Sequence, residues 1–307
     1  AASFRNDDDK PRDNQDRRVE MGQVQWMRDL EAAVKLAAKT DKPMFVLFQE
    51  IPGCETCQNF GRQPLSHPLI VEAIEDHFVP VLVYNNREGK DARLLKRFSE
   101  PSCNNPVVRY LDMNGNDLIE RKSGIWSTQG TAARMVKALQ SGKHSVPKYL
   151  SDLNEALTAN TETATFAMHC FWEGEALLGA VKGVYATHAG WRDGMEVVNV
   201  KFDPDVVAYR DLVKKAQSLD CASKVFAHSS QQLEAARKVV GKLAVAATGD
   251  QQVRDAKPSD QKYYLKNSPL KSLSLAEFQA TKINAALKLN RPVESWLSDR
   301  QRKSLKK

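Results

Sequence analysis

A mixed α/β (α+β) protein of two modules is what the 307-residue sequence predicts, on three observations. At roughly 150 residues per domain the length suits two domains. Short unbroken apolar runs, at 44–48 and 79–83, read as buried strands; they alternate with stretches whose apolar residues recur every three or four positions, the period of a helix. Cysteine stands at two predicted strand-to-helix junctions, at Cys54/Cys57 and at Cys170.

Composition excludes several classes. Hydrophobic residues make up 42% and charged residues 27%, which excludes disorder throughout. No run approaches the ~18 apolar residues of a membrane-spanning helix. The net charge is +7, but the basic residues are interleaved with acids. Only Arg300, Arg302, Lys303, Lys306 and Lys307 cluster, and without a basic stripe or reader motif no nucleic-acid partner is expected. Five cysteines are too few for a disulfide scaffold at this length. The compartment is open; the start at Ala1-Ala2-Ser3 leans toward a periplasmic or secreted protein.

Residues 1–22, with Asp7-Asp8-Asp9 and almost no apolar side chains, read as a disordered arm. Trp26, Leu30, Ala33, Val34 and Ala37 give a helix ended by Asp41-Lys42-Pro43. The strand 44–48 then runs into Ile51-Pro52-Gly53-Cys54-Glu55-Thr56-Cys57 and a helix. Residues 68–78 form another helix, 79–83 a second buried strand and 94–98 a third helix. Asn105-Pro106 opens a strand to Leu111, Asn114-Gly115 is a hairpin turn, Leu118-Ile119 the return strand, and 131–139 a closing helix.

This order over about 24–142, with C-x-x-C after the first strand and Asn105-Pro106 later, resembles the thioredoxin fold. The resemblance implies a cis Pro106 facing the cysteine pair as part of the substrate-binding surface. Disulfide exchange needs an exposed thiolate at Cys54, which a helix N-terminus favours, and Cys57 one turn on to displace the mixed disulfide. Glu55 would raise the thiol pKa somewhat. An inert disulfide, or half a soft-metal site completed by His67 or another nearby His or Cys, are the other readings of the pair, and Cys103 could approach it if Pro106 is cis. The domains read as 23–142 for this module, 143–163 for a linker with a short helix, 164–249 for a second module and 250–307 for a helical basic extension without chemistry.

In the second module, Phe166-Ala167-Met168-His169-Cys170-Phe171-Trp172-Glu173-Gly174-Glu175 is followed by Glu196, Asp203-Pro204 and Tyr209. Cys-Phe-Trp with Glu-x-x-x-Val-x-Phe-Asp-Pro resembles the A-type peptide-methionine sulfoxide reductases over about 164–238. The resemblance implies a ferredoxin-like α/β sandwich and thiol chemistry with no organic cofactor. Cys170 would be the nucleophile and Glu196, 26 residues later, the acid that protonates the departing oxygen. Phe171 and Trp172 would form the apolar pocket. Cys221 would condense with the sulfenic acid left on Cys170, and Cys54/Cys57 would reduce the resulting disulfide. Substrates would be polypeptides carrying oxidised methionine or disulfides, with an external thiol as reductant.

The residues also allow plainer roles: a core thiol for Cys170, a solvated strand position for Glu196, helix-end packing for Cys221 and a core aromatic for Trp172. His169 and Glu173 stand where the family has glycines. The family's Tyr-containing segment before Glu196 and its Gly-Asn-Asp-x-Gly-Thr-Gln-Tyr segment are both missing. One lost preorganised donor costs about 10²–10³ in rate. His169 or His228 could substitute; alternatively the second module only binds peptide and delivers it to the first.

Overall fold

The computed structural model describes residues 18–248 and 252–306. The chain divides after Thr158 into two units.

The first unit runs α1 (Leu30–Thr40), β1 (Met44–Gln49), α2 (Glu55–Arg62), α3 (Pro68–His77), β2 (Val79–Tyr84), α4 (Lys90–Phe98), β3 (Val107–Leu111), α5 (Thr128–Ser141) and α6 (Lys148–Thr158). Asp29 starts α1 by accepting the Ala32 N–H at 3.0 Å, so Trp26 lies ahead of the helix. β1 is central and buried along its whole length, parallel to β2 (Met44 beside Val79) and antiparallel to β3 (Met44 beside Leu111). Alternation sends Met44, Val46 and Phe48 onto Leu30, Ala33, Ala37 and Leu95. Phe45 goes to the other face, its ring 6.0 Å from Phe78 and 5.4 Å from Tyr110. This is a thioredoxin-like arrangement, with the cysteine-bearing loop at the end of β1.

Three expectations need correction. The return strand after Asn114-Gly115 is reduced to a single Leu111–Asp117 bridge, although the turn forms and Gly115 takes φ +80°. The short helix expected in the linker forms as α6, but it packs on α3 and α5, burying Tyr149, Leu150 and Leu153, and so is part of the first unit. The expected arm lies outside the described residues up to 17, but 18–22 is docked. Glu20 is fully buried and its Oε1 accepts the Gly53 N–H at 2.9 Å. A Cβ at Gly61 would lie 1.9 Å from the Val19 carbonyl oxygen, so this turn needs glycine on α2. Gly61→Ala is therefore expected to destabilise the first unit by about 1–3 kcal/mol through overpacking. Thermal unfolding checks it; an unmoved transition would mean that the turn is not docked.

The second unit runs β4 (Glu162–Met168), α7 (Phe171–Gly179), β5 (Val184–Arg192), β6 (Met195–Phe202), α8 (Tyr209–Ser218), β7 (Lys224–Ala227), α9 (Ser230–Val240), β8 (Ala244–Ala246), β9 (Arg254–Asp255), α10 (Tyr263–Lys266), α11 (Glu277–Lys288) and α12 (Asp299–Ser304). The sheet order is β8-β7-β4-β6-β5-β9. Its inner four strands, connected β-α-β-β-α-β and paired antiparallel, make the ferredoxin-like sandwich. Phe166, Met168, Val198 and Val200 face a core that includes Phe171, Leu212 and Val213.

Candidate active sites

The first site is built where β1 gives way to α2. Cys54 is the exposed N-cap of α2, and Cys57 is buried one turn on. Both thiols are free, with the sulfurs 3.6 Å apart. The Cys57 N–H, aimed at Cys54, holds that thiol below its ordinary value, with Thr56 helping; Glu55 does not reverse this. Burial pushes Cys57 up to about 12, reinforced by the hydrogen bond and charge of Cys54. Cys54 is thus the more accessible and the more readily ionised of the two.

Buried polar groups fix the loop. Gln49 Nε2 donates to the Cys57 carbonyl at 3.2 Å and to the Glu20 carbonyl at 3.0 Å. A Cβ at Gly53 would meet the Glu50 carbonyl oxygen at 2.3 Å and Cys57 Cβ at 2.5 Å, so only glycine fits there. Asn86 Oδ1 accepts the Ile51 N–H at 3.3 Å, and Asn85 Nδ2 donates to the Asn104 carbonyl at 2.8 Å. Asn85 and Asn86, at the end of β2, thus tie down the two loops flanking Cys54.

Pro106 does not play its expected part. Among the described residues the one cis bond is Ile51–Pro52, so Asn105–Pro106 is trans. Pro106 is buried and its carbonyl accepts Trp126 Nε1 at 3.1 Å. Because Asn85 holds the preceding loop, the side chain of Asn105 fronts the pair instead, Oδ1 lying 3.5 Å from Cys54 Sγ. Cys103 is exposed, with its N–H on the Asn85 carbonyl. His67 caps α3, Nδ1 accepting the Leu69 N–H at 3.2 Å, and burial holds its pKa down. Neither joins the cysteine pair; the third ligand-type side chain there is Glu50.

The second site is built where β4 gives way to α7. Cys170, half-buried, is the N-cap of α7. The register sets Met168 opposite Glu196, which carries the Glu196 carboxylate to the helix start. There Glu196 Oε2 accepts the Phe171 N–H at 2.6 Å, one residue from the thiol. Cys221 lies just past α8, buried, its Sγ on the Leu219 carbonyl at 3.3 Å. Burial pushes it up to about 11, with the charges of Asp220, Glu173 and Cys170 adding. Cys170 and Cys221 are therefore electrostatic neighbours.

The two expected pocket aromatics part company. Phe171 sinks into the core, edge-on to Trp191 at 5.3 Å. Trp172 is half-buried under Tyr263, the rings stacked at 4.0 Å, and its Nε1 donates to Asp260 Oδ1 at 3.2 Å. His169 is exposed. His228 bonds Thr165, on the sheet face opposite Phe166 and Met168, so it cannot stand in for a donor beside Cys170.

The extension packs on its module and grips α7. Lys262 donates through N and Nζ to the fully buried Glu175, at 2.6 and 2.8 Å. Lys282 Nζ donates to the Gly179 and Val181 carbonyls at the end of α7, both at 2.9 Å. Lys288 reaches Glu173 at 2.8 Å. Gln261 pairs with both backbone groups of Ala189 in β5.

Comparison with known proteins agrees with this division. A thioredoxin-like family model matches residues 25–112. Peptide methionine sulfoxide reductase MsrA 1 of Nostoc sp. is 30% identical over 139 residues, covering 35% of this chain and 85% of the relative. The chain belongs to the peptide methionine sulfoxide reductase MsrA family. The MsrA of Geobacter metallireducens is 33% identical over 112 residues, covering 26% of this chain and 69% of the relative. That of Methanococcus maripaludis is 38% identical over 71 residues, 18% of this chain and 45% of the relative. The chain thus spans about half the length of some family members it matches. A DsbH oxidoreductase structure aligns at 20% identity with a TM-score of 0.33, covering 44% of this chain and 95% of that one. A thioredoxin-like domain is thus joined to an MsrA-like one, and no helix among the described residues is long and apolar enough to cross a membrane.

Proposed function

We propose that the chain reduces peptide methionine (S)-S-oxide and regenerates itself with its own dithiol. The Cys170 thiolate attacks the sulfoxide sulfur while Glu196 delivers a proton to the oxygen. Methionine leaves, and the oxygen stays on Cys170 as a sulfenic acid. The Cys221 thiol attacks that sulfur, water departs and a Cys170–Cys221 disulfide forms. Exchange with Cys54/Cys57 returns both thiols and leaves the disulfide on the pair, for an external thiol to reduce.

The observation that carries this reading is the Glu196 carboxylate on the N–H that follows Cys170. The second step is supported by the nearness of Cys221, whose thiol lies within electrostatic reach of Cys170.

A single turnover without added thiol tests the sequence of steps. The reduced protein, mixed with a methionine-(S)-sulfoxide peptide, is expected to give stoichiometric methionine and a Cys54–Cys57 disulfide by peptide mapping. In Cys54→Ser the Cys170–Cys221 disulfide is expected to accumulate. Methionine release without any disulfide would remove Cys221 from the scheme. One observation favours a second reading, in which this unit only binds peptide: Tyr263 already occupies one face of Trp172. That reading predicts no methionine at all, with insulin disulfide reduction intact.

A further inference from the structure

We propose that Glu50, Cys54 and Cys57 form a Zn²⁺ site in the reduced protein. The two sulfurs and a carboxylate oxygen of Glu50 all lie within 4.8 Å of one another. The sulfurs are 3.6 Å apart. Two thiolates at the ~2.3 Å bond length of tetrahedral zinc stand about 3.8 Å apart, so binding requires almost no movement of the pair. A further oxygen, Asn105 Oδ1, lies 3.5 Å from Cys54 Sγ. The carboxylate comes from the residue after β1 and the sulfurs from the first turn of α2, two separate elements that converge.

The donors choose the metal. Two thiolates with a carboxylate make a mixed sulfur and oxygen set, which suits borderline Zn²⁺; Cu⁺ prefers an all-soft set, and Mg²⁺ or Ca²⁺ an all-oxygen one. The scaffold is preorganised, since Gln49 holds the Cys57 carbonyl and Gly53 lets the loop close on Cys57. Binding needs both thiolates and releases their protons. A Cys54–Cys57 disulfide has no thiolate to offer, so zinc and oxidation exclude one another. Zinc would then hold the dithiol in reserve, shielded from oxidants and from exchange.

Calorimetric titration of the anaerobic, reduced full chain with Zn²⁺ is the test, repeated on the chain carrying the Cys54–Cys57 disulfide. One ion per chain is expected in the first case and none in the second. Glu50→Gln is expected to weaken binding at least tenfold, and Cys54→Ser to abolish it. Cd²⁺ should give a thiolate charge-transfer band in the near ultraviolet, absent from folded Cys54→Ser. Equal binding by reduced and disulfide forms would overturn the proposal, as would a Glu50→Gln affinity equal to wild type. The assay involves no sulfoxide, so its outcome is independent of the proposed reaction.

Discussion

Serine at position 170 is expected to abolish methionine sulfoxide reduction with dithiothreitol as reductant, down to the uncatalysed background. A hydroxyl has no accessible anion at neutral pH and cannot become a sulfenic acid, so both the attack and the oxygen transfer fail. Glu196→Gln keeps an acceptor for the Phe171 N–H but has no acidic proton for the leaving oxygen. Its rate is expected to fall by about 10²–10⁴, the usual contribution of a positioned acid. Neither change touches the first unit, so insulin reduction by Cys54/Cys57 should persist in both. The wild-type rate itself should be modest. The chain lacks the family's two hydrogen-bonding segments, and His228, bonded to Thr165 on the other face of the sheet, does not replace them. Release of methionine from an S-epimer peptide, followed by chromatography, gives the answer. Wild type and Cys170→Ser turning over equally would end the reductase reading.

Local pattern carried the buried strands β1 and β2, the two cysteine-bearing helix starts and the Glu196 position. Each depends on residues near one another in sequence, or on a family motif whose spacing survives here. Met44 to Phe48 reads as buried because β1 is the central strand of its sheet and is packed on both faces. What could not be read depends on distant partners. Glu175 looks like an exposed acid on α7 until Lys262, 87 positions away, folds back to it. Glu20 sits in a stretch whose composition resembles a loose arm, yet its carboxylate is needed by the Gly53 N–H. Asn105, not Pro106, stands in front of the thiols, because a side-chain bond from Asn85 holds the turn. A visible signal did exist for the last: Asn85-Asn86 follow directly on the second buried strand, beside the end of the first.

Lys262→Met is expected to cost the second unit about 3–5 kcal/mol, the range for removing one partner of a buried ion pair. The Glu175 side chain is fully buried, and that of Lys262 is 11% exposed. Three donors satisfy the carboxylate: the Lys262 N–H and Nζ, and the Thr187 hydroxyl at 3.1 Å. Methionine matches the lysine stem in bulk and keeps the backbone bond, so the loss isolates the ammonium. Its removal leaves a buried charge half-solvated, and the fold relieves it by letting the segment carrying Gln261 and Tyr263 lift away. Tyr263 then leaves the face of Trp172, and the indole opens to water. Urea unfolding followed by tryptophan emission reads both effects: a lower midpoint, and a red shift before the transition. Glu175→Leu combined with Lys262→Met should recover part of the loss, because no charge remains buried, though the Lys262 N–H then lacks its acceptor. A single variant within about 0.5 kcal/mol of wild type, the usual range for surface changes, would mean that the extension is not held by this pair. The stack of Tyr263 on Trp172 would then be held by the other contacts of the extension, such as Lys282 on the end of α7.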